Sequence, residues 1–206
     1  MNINKIPKNS KWRKTSYLNL LKTINNYSHG QKLDIGCGRG EITLALNNTI
    51  GIDVKEYCEW NTNPTIFKKY DGTTIPFKKE FDTIIFNNSF EHITNKKTLI
   101  NNIKKISPRA RIIIVLPTTK YLTKRYLKIP LALTKKLFFG KGGGIHLYLV
   151  HEPNIFGWDF LKEFKYYCNW RKTINKYFVI QTELDFDYKK QKFYVCSFKQ
   201  KKEVKK

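Results

Sequence analysis

Acidic residues are few in this chain: 16 Asp and Glu stand against 39 Lys and Arg, leaving a formal net charge of +23 over 206 residues. A surface so short of acid does not repel polyanions or anionic membranes, and both are admitted as partners. The same balance also arises in a chain crowded with Lys, Asn and Ile, where most of the Lys simply coat the surface. Cysteine is sparse too. Cys37, Cys58, Cys168 and Cys196 form no Cys-x-x-Cys pair, which argues against a zinc knuckle or a disulfide framework and leaves reduced thiols. No run approaches the roughly 20 apolar residues of a membrane-spanning helix. The opening MNINKIPKNSKWRK lacks the apolar centre of a signal peptide. A soluble, cytoplasmic protein is therefore expected, one able to sit peripherally at a membrane through its cations. No internal repeat is present.

What the chain does contain is enough apolar material to fold: 41% hydrophobic and 15% aromatic residues. Its length suits one domain over 1–198, followed by a charged tail over 199–206. Leu18, Leu21 and Ile24 recur at helical spacing, predicting an N-terminal helix over about 12–28. Strands are expected at 32–35, 49–54, 65–70, 81–86 and 111–116, several of them unbroken apolar runs suited to burial on both faces. Helices are expected at 41–46 and 95–106, the second with Leu99, Ile103 and Ile106 on one stripe. The linker 55–64 has room for about one helical turn. Further on, 153–170 has a helical pattern, and 177–182 and 192–198 form strands joined by a turn around Asp185-Phe186-Asp187. The fold class that follows is α/β: a Rossmann-like, doubly wound, mostly parallel seven-stranded sheet with a terminal antiparallel hairpin.

Asp34-Ile35-Gly36-Cys37-Gly38-Arg39-Gly40 closes the first strand and opens a helix. Glycines there permit a tight turn and let the backbone come close to a ligand. Asp53 ends the second strand, a little under the roughly 20-residue interval at which ribose-binding acids follow such a turn. Asp71 follows the third strand in the same manner, and Asp82 opens the fourth.

Together with Gly51-Ile52-Asp53, Asp71 through Ile75-Pro76-Phe77, Phe81-Asp82-Thr83-Ile84-Ile85-Phe86-Asn87-Asn88-Ser89-Phe90-Glu91-His92-Ile93 and Arg111 through Thr118, this segment resembles the class I S-adenosylmethionine-dependent methyltransferases. The likeness covers about residues 31–118 and is nearest to the small-molecule, type 11-like branch. It implies S-adenosyl-L-methionine as cofactor. It also implies a set of binding residues: Asp34, Gly36, Cys37, Gly38 and Gly40 at the methionine part, Asp53 at the ribose, Asp71 and Gly72 at the adenine, and Asn87 and Asn88 beside the sulfonium, with Val54 also at the cofactor. The acidic first-strand position and the Phe-Glu-His-Ile segment disfavour a nicotinamide dehydrogenase.

His92 is the candidate general base and Glu91 its companion, which marginally favours transfer to oxygen. In the ubiquinone-type methyltransferases that this segment resembles, a further Glu stands where Asn88 stands here, so no metal site is expected. Alternatively, Glu91 caps the following helix and His92 packs beneath a substrate loop. Asn87-Asn88-Ser89-Phe90 has no proline, which argues against an adenine-N6 methyltransferase.

Between the fifth strand and the later helix lies a basic insert over about 119–150. Its Lys, Arg and aromatic residues suit a substrate cover, a membrane interface or a polyanion. Tyr121, Tyr126, Phe138 and Phe139 fit packing better than a base-stacking array. The run Gly140-Lys141-Gly142-Gly143-Gly144 suits the hinge of a lid, with His146 and His151 near its substrate side. The expected activity is methyl transfer to a small-molecule or lipid-like acceptor. The alternatives are a tRNA or rRNA methyltransferase that uses the basic surface, and a non-catalytic binding subunit of the same fold.

Overall fold

A computed structural model describes residues 1–2, 4, 15–117, 170–186 and 191–200. Seven strands form one sheet: β1 Lys32–Ile35, β2 Thr49–Asp53, β3 Phe67–Lys69, β4 Thr83–Asn87, β5 Arg111–Pro117, β6 Phe178–Phe186 and β7 Gln191–Phe198. Their order across the sheet is β3-β2-β1-β4-β5-β7-β6. The first five run parallel, while β7 lies antiparallel to β5 and β6 antiparallel to β7. The expected mostly parallel, seven-stranded sheet with an antiparallel hairpin at one edge is the architecture observed.

The unbroken apolar strands are explained by burial on both sides. Ile112, Ile114 and Leu116 of β5 face a core closed by α3 (Lys96–Ile106) and α4 (Trp170–Tyr177), through Leu99, Ile103 and Ile174. Ile113 and Val115 face the opposite core, closed by Leu20, Leu21 and Ile24 of α1 (Thr15–Tyr27) and Ile42 of the short α2 (Glu41–Ala45). Asn95 caps α3, its side-chain oxygen accepting from the Thr98 N–H at 3.3 Å. The alternative that Glu91 caps this helix is thereby corrected. Among the described residues no helix is long and apolar enough to cross a membrane.

Three expected boundaries shift. The third strand starts at Phe67, because Pro64–Ile66 is a 3-10 turn. The fourth starts at Thr83: the Asp82 carboxylate instead accepts from the Gln31 N–H at 2.7 Å, and the Phe81 N–H donates to the Ser107 hydroxyl at 2.9 Å. The stretch Asp185-Phe186, expected in a turn, is the end of β6, pairing with Lys192 and Gln191. Lys192 lies between Glu183 and Asp185 and neutralises the acids that made this segment look like a loop. The expected insert over 119–150, with His146 and His151, lies outside the described residues. So do 12–14, the helix expected over 153–170 up to Trp170, and the tail beyond 200.

Candidate functional site

The strand order reverses at β1, flanked by β2 and β4, and ligand clefts form where parallel strands diverge in this way. Here the cleft has two lobes whose walls share Gly36, Gly38 and Asn88, the residues that follow β1 and β4. The larger, about 550 Å³, is lined among others by Asp53, Val54, Tyr57, Asp71, Gly72 and His92. The smaller, about 220 Å³, includes Tyr17, Asp34, Cys37, Glu41, Asn87 and Gln191.

The glycine turn is pinned to its neighbour strand, since the N–H groups of Gly36 and Cys37 both donate to the Ile52 carbonyl, at 2.8 and 3.1 Å. Gly36, Gly38 and Gly40 all take positive φ, at 73°, 56° and 85°. Their surroundings differ. A Cβ on Gly40 would lie 2.3 Å from the Phe67 ring, whereas one on Gly38 would meet nothing within 4 Å among the described residues. Gly40 therefore serves packing and lines neither lobe, and Gly38 faces open cleft.

Asp53 is buried at the end of β2. Its Oδ2 accepts from the Gly38 N–H at 2.9 Å and its Oδ1 from the Lys55 N–H at 3.0 Å. Each oxygen keeps a lone pair for a further donor. Asp34 accepts from the Thr43 hydroxyl at 2.8 Å, tying β1 to α2. Burial pushes its carboxyl up to about 7, and nearby Asp53 and Glu41 push the same way. Burial, with Asp34 and Asp53 adding to it, raises the Cys37 thiol far above its ordinary value, so this cysteine stays protonated and is no nucleophile. Asp71 is exposed and caps its own turn, its Oδ1 accepting from the N–H groups of Thr74 and Thr73 at 2.6 and 2.7 Å. Those bonds hold its carboxyl well below the usual range and keep it ionised.

After β4 the chain takes a left-handed step at Asn88, φ 50°. The Asn88 N–H donates to the Val115 carbonyl, and its side-chain oxygen accepts from Gln191 Nε2 at 2.9 Å. The 3-10 turn Phe90–His92 then separates the two candidate catalytic residues. His92 is largely exposed on the wall of the larger lobe. Glu91 is buried and lines neither lobe, with Oε1 3.9 Å from His92 Nε2. Among the described residues its Oε2 has no hydrogen-bond partner, and burial pushes the carboxyl up to about 7. The buried Lys96 ammonium donates to the Glu91 and Ile93 carbonyls and fastens this turn to α3.

Residues 33–114 match the family model described as a methyltransferase domain. Over that stretch the chain is similar to the class I methyltransferases of type 11. Solved structures agree with the fold. A protein of Pyrococcus horikoshii OT3 is 17% identical, with 95% of this chain and 97% of that one covered at a TM-score of 0.56. A SAM-dependent methyltransferase from Aquifex aeolicus is 15% identical, with 90% and 94% covered at 0.54. The N-methyltransferase NodS of Bradyrhizobium japonicum WM9, solved in complex with S-adenosyl-L-homocysteine, is 12% identical, with 96% of each chain covered at 0.56. No curated protein matches the sequence.

Of the residues expected at this site, ten from Asp34 to Asn88 line the two lobes together with His92. Gly40 and Glu91 stand behind the walls. Sequence reasoning missed Tyr17, Tyr57, Tyr70, Trp60, Ser89 and Gln191. Ser89 had a signal in its place after β4, where its hydroxyl donates to the Ile35 carbonyl at 2.6 Å. Gln191 and Tyr17 had none, because they arrive from the two ends of the chain.

Proposed function

We propose that this protein transfers a methyl group from S-adenosyl-L-methionine to an oxygen of a small-molecule or lipid-like acceptor. The observation that carries the cofactor reading is Asp53, an anchored carboxylate on the larger lobe with one acceptor site left on each oxygen, the requirement for holding a vicinal diol. The donor set fits the rest of the molecule. The larger lobe has the volume for a nucleoside, and Asp34 beside the smaller lobe suits an ammonium group. The NodS structure holds the demethylated cofactor on the same fold.

The cofactor supplies an electrophilic methyl group on a sulfonium. Displacement at that carbon is in line, so the walls formed by Gly36, Asn87 and Asn88 serve chiefly to align the reactants. His92, exposed on the wall of the larger lobe, would take the proton of a hydroxyl acceptor. An RNA acceptor is the second reading, favoured by the exposed cations of α3 and α4, which carry no acid.

Calorimetry with S-adenosylmethionine and S-adenosylhomocysteine tests this. Both should bind, and Asp53→Ala should weaken both by about 10-fold or more, the worth of a hydrogen bond to a charged group. Absence of binding to the intact protein would overturn the cofactor reading and favour a non-catalytic subunit. With an acceptor found by an untargeted methyl-acceptor screen, His92→Ala should spare cofactor affinity and slow turnover by about 100-fold. Unchanged turnover would remove His92 as base.

A further inference from the structure

We infer that Trp60 is a positioning residue for the glycine turn, locking it into its ligand-ready shape before any ligand arrives; this rests on the reading that the cleft binds S-adenosylmethionine. The link between β2 and β3 is a strap containing the 3-10 turn Cys58–Thr62. Trp60 is its buried anchor. Its ring lies parallel to Phe67, with centroids 5.2 Å apart at 8°, and tilted against Tyr57 at 5.8 Å. The indole Nε1–H donates to the Gly38 carbonyl at 2.9 Å.

Gly38 is the glycine of the turn that packing does not hold, since among the described residues no atom beyond its chain neighbours lies within 4 Å of the position a Cβ would take. Hydrogen bonds to side chains outside the turn fix both of its polar groups: the N–H to Asp53 and the C=O to Trp60. The next residue along is tied to the same strap, with Arg39 Nε 3.4 Å from Glu59 Oε1. Tyr57 and Lys55 of the strap line the larger lobe, so one segment both walls the cleft and holds the turn. A turn already held in place loses little conformational freedom when a ligand binds, and the affinity is higher for it.

Trp60→Phe keeps a stacking ring and deletes the N–H. Loss of one hydrogen bond at the turn should weaken S-adenosylhomocysteine binding by about 2- to 10-fold. The KM for S-adenosylmethionine should rise by the same factor, with kcat within about 2-fold, since the reacting groups are untouched. A purely structural role would lower Tm and leave both constants alone at temperatures well below it. If the intact protein binds the ligand and Trp60→Phe binds equally well, the assignment to Trp60 is overturned while the cofactor reading stands. If the intact protein binds neither cofactor nor product, the cofactor reading itself falls. Should the variant fail to fold, solvent exchange of the Trp60 indole N–H in the intact protein decides. Slow exchange, slowed further by S-adenosylhomocysteine, is expected, and exchange as fast as that of an exposed indole overturns the proposal.

Discussion

Asp34 carries the clearest pH dependence of any single residue in the cleft. It is 1% exposed, and burial lifts its carboxyl from an ordinary 3.8 to about 7. A folded-state value raised in this way means that the group's contribution to stability is fully present below about 3.8 and is lost as pH rises through about 7. Glu91, lifted from 4.5 to about 7, acts with the same sign. The ligand-free protein should therefore lose Tm as pH climbs from 4 to 8, and Glu91→Gln should flatten part of that fall. A cationic ligand group beside Asp34 requires the ionised carboxylate, so binding expels a proton. Cofactor affinity should accordingly weaken by about 10-fold between pH 8 and pH 6. Asp34→Asn should remove that dependence, and calorimetry at the two pH values reads it directly.

Within the turn from Gly36 to Gly40, three glycines that look alike in sequence have different duties. Gly40→Ala places a methyl against the Phe67 ring, which cannot swing aside because it is buried and stacked on Trp60. Strained φ and overpacking together should cost about 2–4 kcal/mol in stability by chemical unfolding. Gly38→Ala meets no neighbour among the described residues and bears the cost of left-handed φ, about 1–2 kcal/mol. Its methyl stands at the cleft wall, however, so it should lose more in S-adenosylhomocysteine affinity than Gly40→Ala does. The element itself was legible, because a strand followed by spaced glycines and a helix is a local pattern. The division of labour was not, because Phe67 reaches Gly40 only through the pairing of β3 with β2.

At the scale of the whole molecule, charge is segregated among the described residues. The exposed faces of α3 and α4 carry Lys97, Lys105, Arg171, Lys172 and Lys176 without an acid in either helix, while the cleft gathers Asp34, Glu41, Asp53 and Asp71. Of those cations, only Arg171 meets a carboxylate among the described residues, Glu183 at 3.6 Å. If this face contacts a polyanion, combined Lys97→Glu, Lys105→Glu and Lys172→Glu should weaken tRNA retention and reduce the slope of log affinity against log salt by about one per lost contact. Cofactor affinity should not change. Weak retention that is equal in both proteins would remove the RNA reading. By itself the sequence determined the alternation of strands and helices and the glycine turn. The double-faced burial of β5 was equally legible, since Ile112 to Leu116 could satisfy water on neither side. Tertiary structure alone decided that Trp60 would seize Gly38, 22 residues away, and that Gln191 would hold Asn88 across 103 residues. It also decided that Lys192 would turn an acidic, loop-like stretch into the end of β6. Periodicity and turn chemistry act between near neighbours in the chain, whereas a hydrogen bond between distant residues exists only after packing has brought them together.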